Sequence, residues 1–151
     1  MSSSSKRATA TRIQYGALPY RFSRASGMEI LLVTSRETKR WVVPKGWPKK
    51  RKDPWDSAAR EAKEEAGVVG KVSKEPIGSY FYRKRLRSGK IVVCEVQVFG
   101  LAVKRQQRSW LEKGQRETAW FSPGDAAKAV QEPILRTIMR RLSRKRAARK
   151  V

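Results

Sequence analysis

Three acidic side chains, Glu61, Glu64 and Glu65, stand within five residues of a chain that carries only 13 Asp and Glu against 36 Lys and Arg. At about 100° per residue, a helix places Glu61 and Glu65 nearly in line, with Glu64 beside them. Like charges at that spacing repel and weaken an isolated helix, so a bound cation is the natural compensation. Carboxylate oxygens suit Mg²⁺ or Mn²⁺, ions that bridge phosphate oxygens. Such an ion neutralises phosphate charge and acidifies a bound water, whose proton a remaining carboxylate accepts. The plain alternative is a solvated acidic face balanced by Arg60 and Lys63.

Composition removes several other chemistries. The chain has no histidine, which excludes histidine-based catalysis and metal ligation. Its one cysteine, Cys94, excludes an internal disulfide and a multi-cysteine zinc site. No apolar segment is long enough to span a bilayer, and the opening MSSSSKRATATR lacks the apolar core of a secretory signal. A cytoplasmic location is the expectation. The net charge of +23 implies capture of polyanions: nucleic acid, anionic lipid or a small molecule crowded with phosphates. Solubility alone, or a basic tail, is the bland account of the same charge.

The elements that must position the glutamates follow from pattern and punctuation. Residues 1–10 read as a disordered basic lead, 11–145 as a single domain and 146–151 as a basic C-terminal tail. Arg12–Phe22, Glu29–Ser35 and Arg40–Val43 read as strands. Pro54–Ala66 reads as a helix, with Asp53 as N-cap and Gly67 as its stop. Trp55, Ala58, Ala59, Ala62 and Ala66 give it a narrow face of mostly small side chains, suited to close packing on a sheet. Ile77–Arg83 and Lys90–Val103 read as a hairpin turned at Arg87-Ser88-Gly89, and Ala119–Phe121 as a short strand. Helices follow at Pro123–Val130 and from Pro133 to about Arg146, the latter with Ile134, Leu135, Ile138 and Leu142 on one face. Strands mixed with one central helix and closing helices predict an α/β sandwich.

The segment Gly46–Val68 resembles the Nudix hydrolase family, whose signature is G-x5-E-x7-R-E-U-x-E-E-x-G-U with U bulky and aliphatic. Gly46, Arg60, Glu61, Glu64, Glu65, Gly67 and Val68 match in register, Ala62 takes the first U position, and RWVVPKG leads into the box. The resemblance implies a Nudix-type α/β/α sandwich, a mixed sheet with the loop–helix between strands and helices at the C-terminus. It also implies Glu61, Glu65 and Glu64 as ligands of Mg²⁺ or Mn²⁺, with the backbone carbonyl of Lys45 completing the shell. Glu64 would be the general base and Arg60 would orient the carboxylates. One position departs: the pattern's first glutamate falls on Lys52, and Asp53 or Asp56 is left to brace the loop.

Beyond the box, the chain resembles the diphosphoinositol polyphosphate and diadenosine polyphosphate hydrolase branch. By that resemblance Arg12, Tyr20, Arg21, Ser35, Arg36, Gly46, Arg83, Lys84, Arg85 and Arg116 would bind substrate. Glu112 and Glu117, the acids of the 104–118 loop, are candidates for a further metal ligand. The implied function is cleavage of a phosphoanhydride bond in a diphosphoinositol polyphosphate or a diadenosine or nucleoside polyphosphate by metal-activated water. The alternative is a basic Nudix-like nucleic-acid-binding module, or a pyrophosphohydrolase of RNA 5′ ends.

Overall fold

A computed structural model describes residues 11–150; the lead at 1–10 and Val151 lie outside the described residues. Eight strands form one mixed sheet: β1 (Arg12–Ser23), β2 (Gly27–Thr34), β3 (Trp41–Val42), β4 (Lys45–Gly46), β5 (Val68–Val72), β6 (Gly78–Arg85), β7 (Ile91–Gln106) and β8 (Thr118–Phe121). Three helices complete it: α1 (Pro54–Ala66), α2 (Pro123–Ala129) and α3 (Pro133–Lys150). The backbone of 146–150 therefore continues α3 where a tail was expected.

The centre of the sheet is the parallel pair β1–β7, matched from Arg12 opposite Cys94 to Tyr20 opposite Ala102. The hairpin β6–β7 flanks it, with Tyr80 opposite Val96 and Tyr82 opposite Cys94. On its other edge β1 changes partner: Tyr15 and Gly16 pair with β4, whereas Tyr20–Ser23 pair with β2. This change leaves room between β4 and the β2–β3 edge, and the cleft described below uses it.

Both sheet faces are covered, because the central strands are apolar at odd and even positions alike. Ile30 and Leu32 of β2 join Leu18, Val96, Val98, Leu135, Ile138 and Met139 under α2 and α3. Leu31 and Val33 turn the other way and meet Ala17, Phe99, Leu101 and the α1 alanines. The result is the expected α/β/α sandwich. Ala58, Ala62 and Ala66 are fully buried, so α1 lies close on the sheet, and its only large apolar anchor is Trp55 at the rim. Ile134 does not join the α3 core face: it is half exposed and Met139 is buried instead, giving the stripe Leu135, Ile138, Met139 and Leu142 at i, i+3, i+4 and i+7.

The expected ends of α1 are found. Pro54 opens it, where its missing N–H costs nothing. Asp53 occupies the N-cap position but its side chain makes no cap hydrogen bond. Gly67 ends the helix in the left-handed region, at φ 72°, and returns its N–H to the Lys63 carbonyl. A Cβ at Gly67 would also fall 2.2 Å from the Trp110 ring, so space and backbone conformation both require glycine.

Candidate active site

The glutamates face the sheet where β4 meets β1. Glu61 and Glu65 are 7% and 4% exposed, a rare degree of burial for carboxylates. Gly46 explains how Glu61 fits: a Cβ there would lie 2.3 Å from Glu61 Oε2, so glycine lets the Lys45–Gly46 backbone close onto the carboxylate. Burial pushes the Glu65 carboxyl well above its usual range; the Arg116 guanidinium opposes this, while the adjacent Glu61 carboxyl adds to it. Two buried carboxyls in contact, beside a backbone with no Cβ, are an oxygen-only donor set that fits a hard divalent cation.

Glu64 lies on the outer side of that pair. Its Oε2 accepts from Arg60 Nε at 2.8 Å, and its Oε1 lies 3.9 Å from Lys49 Nζ. The Lys49 ammonium is 2.7 Å from Glu61 Oε2. Among the described residues no group of three or more acidic or cysteine side chains is gathered for a metal ion. Glu61 and Glu65 are brought together, and Glu64 is drawn to the two cations.

Arg60 thus orients Glu64 directly. Neither Asp53 nor Asp56 forms an ion pair among the described residues, so neither braces Arg60. Lys52, at the position of the pattern's first glutamate, is exposed in a shallow groove with Asp56, Arg60 and Lys63 on the outward side of α1.

Beside Glu65 opens a cleft of about 270 Å³. Ser35, Arg36, Arg83, Lys84, Arg85 and Arg116, all expected at the substrate, line it. Arg40 and Lys45 join them, giving seven cations (Arg36, Arg40, Lys45, Arg83, Lys84, Arg85, Arg116) against three acids (Glu37, Glu65, Glu132). Arg116 is the link between cleft and carboxylates. Its Nε donates to Glu112 Oε1 at 2.9 Å, one terminal nitrogen donates to the Thr34 carbonyl at 3.1 Å, and the other lies 3.7 Å from Glu65 Oε2. Glu112 therefore holds the arginine that faces Glu65. Glu117 is exposed and contacts Thr34 through its backbone.

Four expected residues are not in the cleft lining. Gly46 closes on the Glu61 carboxylate instead. Arg12 is exposed at the start of β1, next to Cys94. Tyr20 is buried in the core beneath α3, with the Arg146 guanidinium over its ring. Arg21 pairs with Glu29 at 2.8 Å and stacks on Trp120, committed to a different part of the sheet.

The Lys45 side chain, Gln14 and Tyr82 were missed at the sequence level. The Tyr82 hydroxyl donates to Gln14 Oε1 at 2.6 Å, and Lys45 Nζ lies 5.0 Å above the Tyr82 ring. Burial lowers the Lys45 amine to about 8, against the pull of Glu65 in the other direction. The available signal was alternation: Gln14 is a polar residue two positions from Arg12, on a strand whose neighbours are apolar.

The chain matches the NUDIX domain family model over residues 12–142. It is 30% identical over 130 residues to Nudix hydrolase 12, mitochondrial, of Arabidopsis thaliana, covering 76% of this chain and 64% of that protein. It is 34% identical over 106 residues to diphosphoinositol polyphosphate phosphohydrolase 3-alpha of Mus musculus, covering 68% of this chain and 60% of that protein. The chain thus spans somewhat less than two thirds of the length of these curated relatives. In fold it is similar to a C. elegans Ap4A hydrolase in a binary complex, with a TM-score of 0.66, 22% identity, and coverage of 91% of this chain and 99% of that one. The site is built on the loop and helix that carry the family signature, and the chain belongs to the Nudix family.

Proposed function

We propose that the chain is a divalent-metal-dependent Nudix hydrolase that cleaves a phosphoanhydride bond in a small molecule crowded with phosphates. The observation that carries this reading is the continuity of a seven-cation cleft with the buried Glu61–Glu65 pair through Arg116. Glu61 and Glu65 would hold Mg²⁺ or Mn²⁺, with the Lys45 carbonyl as a further ligand. The ion, when bound, supplies charge neutralisation at the phosphates and an acidified water. The chain's own residues do the rest. Arg36, Arg40, Arg83 and Arg85 grip phosphate oxygens with forked, charge-assisted bonds, and Lys45 and Lys84 add point charges. Arg60 holds Glu64 in place to accept a proton.

The cleft lining favours a diphosphoinositol polyphosphate over a dinucleoside polyphosphate. Of its two aromatic rings, Tyr80 is buried and Tyr82 is faced by Lys45, which leaves neither free to stack on a base. The resemblance to the mouse phosphohydrolase points the same way.

A panel of diphosphoinositol, dinucleoside, sugar-nucleotide and RNA 5′-end substrates with Mg²⁺ tests the reading. Hydrolysis should depend on the metal, be fastest with the inositol compound, and fall by at least about 100-fold in Glu65→Gln, the scale of losing an essential proton-transfer or charge-stabilising group. Equal turnover with and without metal would remove the mechanism.

A further inference from the structure

Resting on the metal-centre reading above, we infer that Lys49 is a built-in cation: its ammonium takes the place of one divalent ion at Glu61 and Glu64, so that the centre binds a single metal on the Glu65 side. Four basic residues, Lys49, Lys50, Arg51 and Lys52, follow one another in the loop before α1, but only Lys49 turns inward. Its backbone is fixed at both ends. The Lys49 N–H donates to Ser57 Oγ at 3.3 Å, and its carbonyl accepts from the Lys52 N–H at 3.2 Å across a turn in which Arg51 has φ 63°. Ser57 is fully buried, so the anchor for this turn is the body of α1 itself.

From that anchor Lys49 Nζ reaches 2.7 Å from Glu61 Oε2 and 3.9 Å from Glu64 Oε1. These atoms belong to two of the three box glutamates. Glu61 Oε2 is also the oxygen nearest Gly46, the point where the backbone closes on the cluster. An ammonium in contact with that oxygen repels a divalent ion approaching the same oxygen and competes with it for the carboxylate's charge. Glu64 is held on its other oxygen by Arg60 at 2.8 Å, so the two cations of the chain, Lys49 and Arg60, neutralise Glu64 and half of Glu61. What is left for metal is Glu65 and the remaining Glu61 oxygen. Lysine suits this task because its compact charge mimics a point cation, and because its stem keeps it attached at all metal concentrations.

The test is metal stoichiometry of the full chain, read by electron paramagnetic resonance of free Mn²⁺ during titration and by anomalous scattering from manganese-soaked crystals. The wild type should bind one Mn²⁺ per chain. Lys49→Gln should bind two, the second beside Glu61 and Glu64. Lys49→Arg and the exposed-neighbour control Lys50→Gln should keep one. Metal-free Lys49→Gln should also melt at a lower temperature than the wild type, because buried Glu61 loses its partner, and Mn²⁺ should restore it. Two or more Mn²⁺ in the wild type, or one in both wild type and Lys49→Gln, overturns the Lys49 inference alone. No Mn²⁺ bound by any variant overturns the metal-centre reading together with it.

Discussion

Half-buried beside the Tyr82 ring, the Lys45 amine is lowered by desolvation to about 8, below an ordinary lysine. Below that pH it meets a phosphate as a cation, and above it as a neutral amine. The kcat/KM of the free enzyme should therefore decline as pH rises through about 8. Lys45→Arg, charged throughout this range, should move the decline to higher pH; an unmoved alkaline limb would assign it to another group. Arg116 gives a second prediction. Its guanidinium, 3.7 Å from Glu65 Oε2, opposes the burial that favours the protonated Glu65 carboxyl. Arg116→Met should therefore weaken metal affinity at neutral pH by about tenfold for each unit that the Glu65 pKa rises, because proton and metal compete for that carboxylate. Calorimetry with Mn²⁺ reads this directly, and an unchanged affinity would mean that Arg116 serves only the substrate. At this scale the spaced signature marked the glutamates and Arg60, and the resemblance beyond it pointed to five of the seven cleft cations, Arg36, Arg83, Lys84, Arg85 and Arg116. Alternation marks Gln14 as out of pattern, but its convergence with Tyr82 and the Lys45 side chain from three separate strands depends on the fold. Nor could the sequence show that Tyr20 turns into the core while Arg21 turns to Trp120, since that depends on the strand register.

At the scale of elements, α1 was legible to both ends because proline and glycine mark them. The strands β4 and β5 were not. β4 is two residues long and exists through its pairing with Tyr15 and Gly16, and β5 starts at Val68 with only the helix stop Gly67 before it, so no turn signal of its own announces it. Three of the four residues read on the α3 face, Leu135, Ile138 and Leu142, are buried there; Ile134 was included in place of Met139 because Ile134 and Leu135 both fit a helical spacing to later apolar residues. Leu135→Ala should cost about 2–5 kcal/mol in denaturant unfolding, as for other core leucines. Ile134→Ala should stay within about 0.5 kcal/mol. Equal losses at the two positions would contradict the observed packing.

For the whole molecule, the +23 charge predicts strongly salt-dependent capture. Electrostatic steering of an anion is worth roughly 10–10³ in association rate and is screened over about 8 Å at physiological salt. With a polyphosphate substrate, kcat/KM should fall by about tenfold or more from low to physiological salt while kcat changes little. A flat response would restrict the role of the charge to solubility. No described helix is long and apolar enough to cross a membrane, in keeping with the sequence.

The segment from Gln107 to Arg116 is stitched to the last turn of α1: the Gln107 N–H donates to the Gly67 carbonyl, the Glu112 N–H to the Glu64 carbonyl, and the Gln106 side chain to the Ala66 carbonyl. Trp110 covers Gly67 from above. The arginine that would meet the phosphate and the glutamates that would meet the ion consequently ride on one stiff unit. Among the loop amides, those of Gln107 and Glu112 should exchange slowest, already protected before any substrate arrives.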